Sequence, residues 1–406
     1  MAAVPTWIVA IGVILVLQTT SAYLSRLVPI VAPAFMGEFG WDASLVGYLT
    51  AANIVGALFI LTIGIGAIRQ LGGVLALLVT LLIGAASLLL LVAPSVALAL
   101  LASFLMGFSN GTANPSGSEV LQRYTPQAHR NFVFSIKQAG VPLGGVVAGL
   151  TIPPLVDAFG WRTALVVAAA GAAVATLLMW PFQPRIDPPR QPMVAATLIS
   201  FRLSSVIVPL RSLRRAPGLV RIAWVGAIMA IAQSVWFTFT ATYLVLGLGL
   251  SLGVAGLIFA VMQASGAIGR VMMGFVADRV ASSTTTLTIA ATGSGLFTIL
   301  FGFTSASWPV WALLLLAAAA GMVVAGWNGV QIAEVAHRSP PELVAETAAG
   351  SVIMVFLSNM FGPVAFAAAV YLTGRYDIAL WGAGACSLLC LPLLIGIDRK
   401  EGPPTA

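Results

Sequence analysis

Charge is scarce in this sequence. Asp, Glu, Lys and Arg together make up 8% of its 406 residues, against 60% hydrophobic residues. A water-soluble domain needs polar residues to show solvent, so this balance excludes one and makes a lipid bilayer the natural solvent. Cysteine is nearly absent. Cys386 and Cys390 stand one helical turn apart in the last apolar run and read as small apolar side chains, not as a disulfide or a metal site. The two histidines, His129 and His337, fall in loops without metal-ligand spacing. No phosphate-binding loop, nucleotide domain or nucleophile–base arrangement is present, which argues against an ATP-driven pump or an enzyme and leaves no cofactor expected. The apolar runs do not alternate with polar residues, which excludes a transmembrane barrel. The net charge of +7 sits in loops, where membrane orientation accounts for it without nucleic acid.

What is present is a mean hydropathy of +1.04 spread over long apolar runs. Each is near the roughly 20 residues a spanning helix needs. Twelve can be placed, near 7–35, 44–67, 73–93, 96–121, 132–155, 163–182, 222–246, 253–276, 284–304, 308–333, 347–372 and 378–396. The first lacks a basic flank and a small-residue cleavage site, so it reads as a span, not a leader. The longest polar interval, 183–221, is rich in proline and arginine, and its part from Leu198 to Leu213 suits an amphipathic helix lying on the membrane surface. Arg69, Arg123, Arg130, the central arginines, Arg279, Arg338, Arg399 and Lys400 fall on one side of the membrane. Arg162 and Arg375 fall on the other, among Glu38, Asp42, Asp157 and Asp377. The basic side is expected to be cytoplasmic, with both termini on it.

The two halves repeat at an offset of 215, since 334 − 119 = 215. Glu119 and Arg123 match Glu334 and Arg338, Gln18 matches Gln233, and Gly160-Trp161-Arg162 aligns with Arg375-Tyr376-Asp377. The expectation is an all-α membrane protein of twelve transmembrane helices in two six-helix pseudo-repeat bundles. The bundles would be 1–182 and 222–406, the second with a short cytoplasmic tail, joined by the basic linker 183–221. Parallel repeats of this kind place a transporter's site near the midplane between halves.

Gly274-Phe275-Val276-Ala277-Asp278-Arg279 resembles the loop motif of the major facilitator superfamily between spans eight and nine. The matching first-half loop, Gly64 to Arg69, keeps the glycine and arginine but has Ile68 where that family has aspartate. Gly140-Val141-Pro142-Leu143-Gly144-Gly145 resembles its glycine–proline motif in span five. The resemblance implies alternating access. Asp278, Arg279 and Arg69 would pair with helix ends in one conformation and separate in another, with Glu119, Arg123, Glu334 and Arg338 as partners. Static anchoring of the loops is the plainer alternative.

Three basic residues lie within spans: Arg26, Lys137 and Arg270. Arg270 stands eight residues before Asp278, about 12 Å deeper along a helix. No Asp or Glu lies near a span centre. Cations in low dielectric call for an anion, and a substrate can supply it. Arg270, followed after three intervening residues by Gly274-Phe275-Val276-Ala277, resembles span eight of the monocarboxylate transporters, where such an arginine binds the substrate carboxylate. The oxalate–formate exchanger also uses a span-eight arginine. Arg26, in Ala22-Tyr23-Leu24-Ser25-Arg26, resembles the span-one basic residue of the monocarboxylate transporters. Gly266, one turn before Arg270, stands where those transporters carry an aspartate, which removes that route for proton coupling. Against a substrate role, Arg270 could bond backbone carbonyls at a helix kink, and Arg26 and Lys137 could snorkel to the membrane edge. If span five faces span eight, as it does in the superfamily, Lys137 and Arg270 could bracket one anion. Tyr23, Gln18, Gln233, Trp236, Asn328 and Asn359 are further polar and aromatic candidates for the cavity, each with interhelical packing as its alternative.

The sequence therefore points to a secondary transporter of a small organic anion, a mono- or dicarboxylate, in a cytoplasmic membrane and functional as a monomer. Exchange against a counter-anion, or symport with a proton, remains open. A drug or metabolite exporter and a non-transporting anion sensor are the alternatives.

Overall fold

A computed structural model describes residues 5–64, 68, 70–187 and 204–397, and every regular element among them is helical. In the first half the longer helices are α1 (Thr6–Phe39), α2 (Leu45–Thr62), α3 (Gly73–Ser87), α4 (Val96–Tyr124) and α5 (Arg130–Met179). Past the central interval come α6 (Ser204–Ser212), α7 (Leu219–Thr242), α8 (Leu252–Arg279), α9 (Ser283–Gly302), α10 (Val310–Val324) and α11 (Asn328–Arg338). The chain closes with α12 (Val344–Thr373), α13 (Tyr376–Leu388) and α14 (Cys390–Leu394).

Eleven of the described helical stretches are long and apolar enough to cross a membrane. One of them, Ile136–Ile186, holds 51 residues, more than twice what a crossing takes. Gly160 divides it: at φ 78°, ψ 158° it adopts a backbone that other residues avoid, so the chain turns there between two crossings. That division gives the twelve spans expected. Local chemistry sets several helix starts. The side chains of Ser95, Ser251 and Ser282 accept hydrogen bonds from the backbone N–H groups of Leu98, Val254 and Thr285.

The residues group into two compact units, Met1–Trp41 with Ala52–Phe201, and Asp42–Ala51 with Arg202–Ala406. The short stretch Asp42–Ala51 belongs to the second unit because Gly47 lies against α12, where a Cβ would come 2.5 Å from the Pro363 carbonyl oxygen. Within the first unit α1 and α5 pack almost backbone to backbone, since a Cβ on Gly144 would lie 2.5 Å from the Thr19 carbonyl and 2.6 Å from the Tyr23 nitrogen. Small residues allow such approach in a bilayer, where burial alone does not drive helices together. In the second unit Leu219, Ile222, Val225, Met229, Leu287, Trp327, Val335 and Cys390 share one core. Large apolar side chains such as Leu178, Val271 and Phe275 stay exposed, as a lipid-facing surface permits.

The amphipathic helix expected around 198–213 forms over Ser204–Ser212, while residues 188–203 lie outside the described set. It does not rest on the membrane surface alone. The Pro209 carbonyl packs against Gly350 of α12, and Ser212 and Leu213 are buried.

Candidate substrate site and a broken helix

The tenth span is not one helix. α10 ends at Val324 and α11 begins at Asn328, with Ala325-Gly326-Trp327 as a turn between them. A helix broken inside a membrane leaves backbone carbonyls without their usual donors, and nothing in hydrocarbon replaces them. Side chains replace them here. The Val324 carbonyl accepts from Gln233 Nε2 at 3.1 Å and from Trp327 Nε1 at 2.9 Å. The Ala325 carbonyl accepts from Arg270 Nε at 3.1 Å and from Asn328 Nδ2 at 3.3 Å.

Three of the residues singled out from sequence, Gln233, Arg270 and Asn328, thus meet at one backbone break. The approach of α8 makes this possible. A Cβ on Gly326 would lie 2.9 Å from the Gly269 carbonyl carbon, so only paired glycines let the two backbones come so close. Arg270, the next residue, then reaches the Ala325 carbonyl. It is half-buried, nineteen residues into a 28-residue helix. A guanidinium carries five N–H donors in a planar fork, and the Nε bond fixes the plane of that fork.

Two other candidates of this unit stand apart from the break. Trp236 is 1% exposed; its indole N–H donates to Thr298 Oγ1 at 2.9 Å and its ring stacks on Phe301 at 4.2 Å. That is a packing position. Asn359 is half-buried on α12.

In the first unit Lys137 is 2% exposed. Its ammonium donates to the Asn114 carbonyl at 2.9 Å, to Ser118 Oγ at 2.8 Å and, at 3.4 Å, to Asn114 Oδ1. These acceptors are neutral, so they satisfy its protons without cancelling its charge. Gln18 is buried against Gly140, and its Oε1 has no hydrogen-bond partner among the described residues. Tyr23 and Arg26 are half-buried on α1.

Comparison with known proteins decides the family. The Major Facilitator Superfamily description matches residues 11–363. The chain belongs to that superfamily. It is 25% identical over 410 residues to a probable sulfoacetate transporter of Cupriavidus necator, covering 94% of this chain and 93% of that protein. It is 29% identical over 139 residues to a 4-hydroxybenzoate transporter of Pseudomonas putida, covering 34% of this chain and 31% of that one. Among solved structures, a bacterial homologue of the human lysosomal transporter Spinster aligns with a TM-score of 0.79 at 16% identity over 98% of both chains. This last likeness is one of fold.

The superfamily's loop motif ends α8 with Asp278 and Arg279 exposed, and neither side chain forms a hydrogen bond or ion pair among the described residues. Arg69, its first-half counterpart, lies outside the described residues. The expected partners pair within their own helices instead. Arg123 binds Glu119 at 2.8 Å on an exposed surface, and Arg338 Nε binds Glu334 at 2.6 Å in a buried one.

Sequence reasoning missed Asp187. This buried carboxylate accepts from the backbone N–H of Val74 at 3.0 Å and of Leu75 at 2.9 Å, and from Gln183 Nε2 at 3.0 Å. It caps the start of α3 from the far end of the sixth span. Gly72, at φ 90°, leaves no room for a side chain there: a Cβ would stand 2.7 Å from the Asp187 carboxyl carbon. The signal was available, since Asp187 is the lone acidic residue in the interval 183–221.

Proposed function

We propose that the protein is a secondary transporter that carries a small organic anion across the cytoplasmic membrane by alternating access, with Arg270 holding the anionic group. The observation that carries this reading is Arg270 itself: a cation deep in a span, in a protein with no acidic residue near any span centre. A cation at that depth marks a functional site, and an oxyanion matches the guanidinium fork in shape as well as sign. Lys137 and Arg26 add positive charge to the first unit, and the neutral acceptors around Lys137 leave its charge to act on an incoming anion. The relatives support the chemical class, because sulfoacetate and 4-hydroxybenzoate are both organic anions.

The missing intramembrane carboxylate bears on coupling. With no acid to carry a proton, exchange against a second anion, or entry of a proton together with the substrate, is the simplest cycle. Unliganded cations oppose closure, and anion binding lowers that barrier, which ties movement to loading. The excess of Arg and Lys in alternate loops supports cytoplasmic termini.

Thermal melting of the purified protein tests the reading. The panel is sulfoacetate, 4-hydroxybenzoate, oxalate and short monocarboxylates, on wild type and Arg270→Ala. Binding to the folded state raises the melting temperature with occupancy. At least one anion is expected to stabilise wild type, and loss of the charged donor weakens it by about 3 kcal/mol, roughly 100-fold. If no anion stabilises wild type, or the shift survives in Arg270→Ala, the arginine serves the broken helix alone. The Ala325 contact favours that second reading, in which the protein exports neutral or cationic compounds.

A further inference from the structure

From Pro188 to Ala277 the sequence contains no Asp or Glu, while it contains seven arginines. Three of these, Arg211, Arg214 and Arg215, fall within five residues at the end of α6, just ahead of the seventh span. All three are exposed, and none of their side chains forms a hydrogen bond or ion pair among the described residues. Positive charge in a loop serves orientation wherever the loop wanders, but this cluster is mounted on a fixed platform. The Pro209 carbonyl touches the backbone of α12 at Gly350, where only hydrogen fits. Ser212 and Leu213 are buried beneath the cluster, and Ser212 Oγ donates to the Pro209 carbonyl at 2.7 Å. Two turns, Arg214 N to Arg211 O at 3.1 Å and Arg215 N to Ser212 O at 2.9 Å, hold the three side chains on adjacent backbone.

The depth of the platform is also marked. Arg215 precedes the start of α7 at Leu219 by four residues, and Trp224, five residues into that helix, is 52% exposed. An outward-facing tryptophan one turn inside a span marks the boundary of hydrocarbon and headgroups. Val208, 45% exposed, stands one turn before Arg211, so α6 presents an apolar residue followed by cations along one stripe. We infer that Arg211, Arg214 and Arg215 form a binding site for the phosphate headgroup of an anionic phospholipid, such as phosphatidylglycerol. Its acyl chains would lie against Val208 and the start of α7. Guanidinium forks suit phosphate oxygens, and among the described residues no carboxylate pairs with the three arginines, which leaves the phosphate as their counter-charge.

The test is a titration of the purified, full-length protein with phosphatidylglycerol in phosphatidylcholine-containing micelles, followed by mass spectrometry of the intact complexes. Wild type, the triple variant Arg211→Gln/Arg214→Gln/Arg215→Gln and the matching triple lysine variant are compared. At about 1 kcal/mol per surface cation, the glutamine variant is expected to lose roughly 100-fold in affinity for phosphatidylglycerol. The lysine variant should retain most of it. Equal melting temperatures in phosphatidylcholine alone confirm that the folded state is intact. Unchanged lipid affinity in the glutamine variant overturns the proposal. So does full displacement of the lipid by equimolar inorganic phosphate, which would mark a site for free phosphate.

Discussion

The two halves carry the same Glu-x-x-x-Arg pair at an offset of 215, and the fold treats the copies differently. Glu119 and Arg123 keep 49% and 38% of their side-chain surface exposed, while Glu334 and Arg338 keep 6% and 2%. The helices that bear them differ as well. α4 runs unbroken from Val96 to Tyr124, whereas the tenth span breaks at Ala325–Trp327, the positions equivalent to Asn110–Thr112. Past the break, α11 is a separate piece. Beyond its ion pair, polar side chains tie it to its neighbours: Gln331 Nε2 donates to Ser351 Oγ at 2.7 Å and to the Ile222 carbonyl at 3.3 Å, and the hydroxyls of Ser339 and Thr347 lie 2.6 Å apart. A repeated motif thus preserves an ion pair while its energetic weight follows burial. The first copy decorates a surface; the second fixes a helix segment that backbone continuity no longer holds.

Breaking each pair in turn should expose that difference most strongly. Glu334→Ala removes a buried carboxylate that pairs with a buried arginine, an effect that costs about 3–5 kcal/mol. Glu119→Ala removes one side of an exposed pair, worth at most about 1 kcal/mol and weakened further by salt. Melting of the two variants in the same detergent, at low and high salt, measures both. Equal losses would mean that burial does not set the difference.

Much of this was legible in the sequence, and the limits have physical causes. Hydropathy and length give the twelve spans, because a bilayer admits little besides continuous apolar helices. Both ion pairs follow from i, i+4 spacing on a helix. Their burial does not, since it depends on which neighbours pack over each helix end. Arg270 stood out as an intramembrane charge, and its bonding to a backbone carbonyl was one of two readings the residue allowed. The break that supplies the carbonyl was hidden. Ala325-Gly326-Trp327 holds no proline, and its first-half counterpart, Asn110-Gly111-Thr112, stays helical around a glycine at the same place. The interval 183–221 reads as a linker by composition, which concealed that Asp187 at its edge caps α3.

The capping role of Asp187 sets up a second contrast. The first-half loop has Ile68 where the superfamily motif has aspartate, yet a carboxylate still serves the start of α3, delivered from after the sixth span. In the second half the motif keeps its aspartate, Asp278, and that residue is exposed. Asp187→Ala strips two buried backbone N–H groups of their acceptor, so stability should fall by about 2–3 kcal/mol. Asp278→Ala should leave the melting temperature within a degree or two, while changing transport if the motif acts as a gate. Transport in proteoliposomes beside melting separates the roles. A large loss of stability in Asp278→Ala with no change in rate would make it a structural anchor.

The smallest contrast lies between the repeat-related glutamines. Gln233 donates to the Val324 carbonyl in the second unit, whereas Gln18 Oε1 in the first is buried with no partner among the described residues. Gln233→Leu should cost about 1 kcal/mol, because the carbonyl keeps only the Trp327 indole as donor. Gln18→Leu removes an unsatisfied acceptor and should be neutral or slightly stabilising. An acceptor kept unsatisfied at mid-membrane is costly, and service to a hydrogen-bond donor on the substrate would explain its presence. The two variants should therefore separate stability from function in opposite directions. Gln18→Leu should melt like wild type yet lose any preference for a hydroxylated anion over the same anion without its hydroxyl. Gln233→Leu should melt earlier with that preference unchanged. If Gln18→Leu melts as early as Gln233→Leu, the first glutamine is a packing residue like the second, and the distinction between the halves at this position disappears.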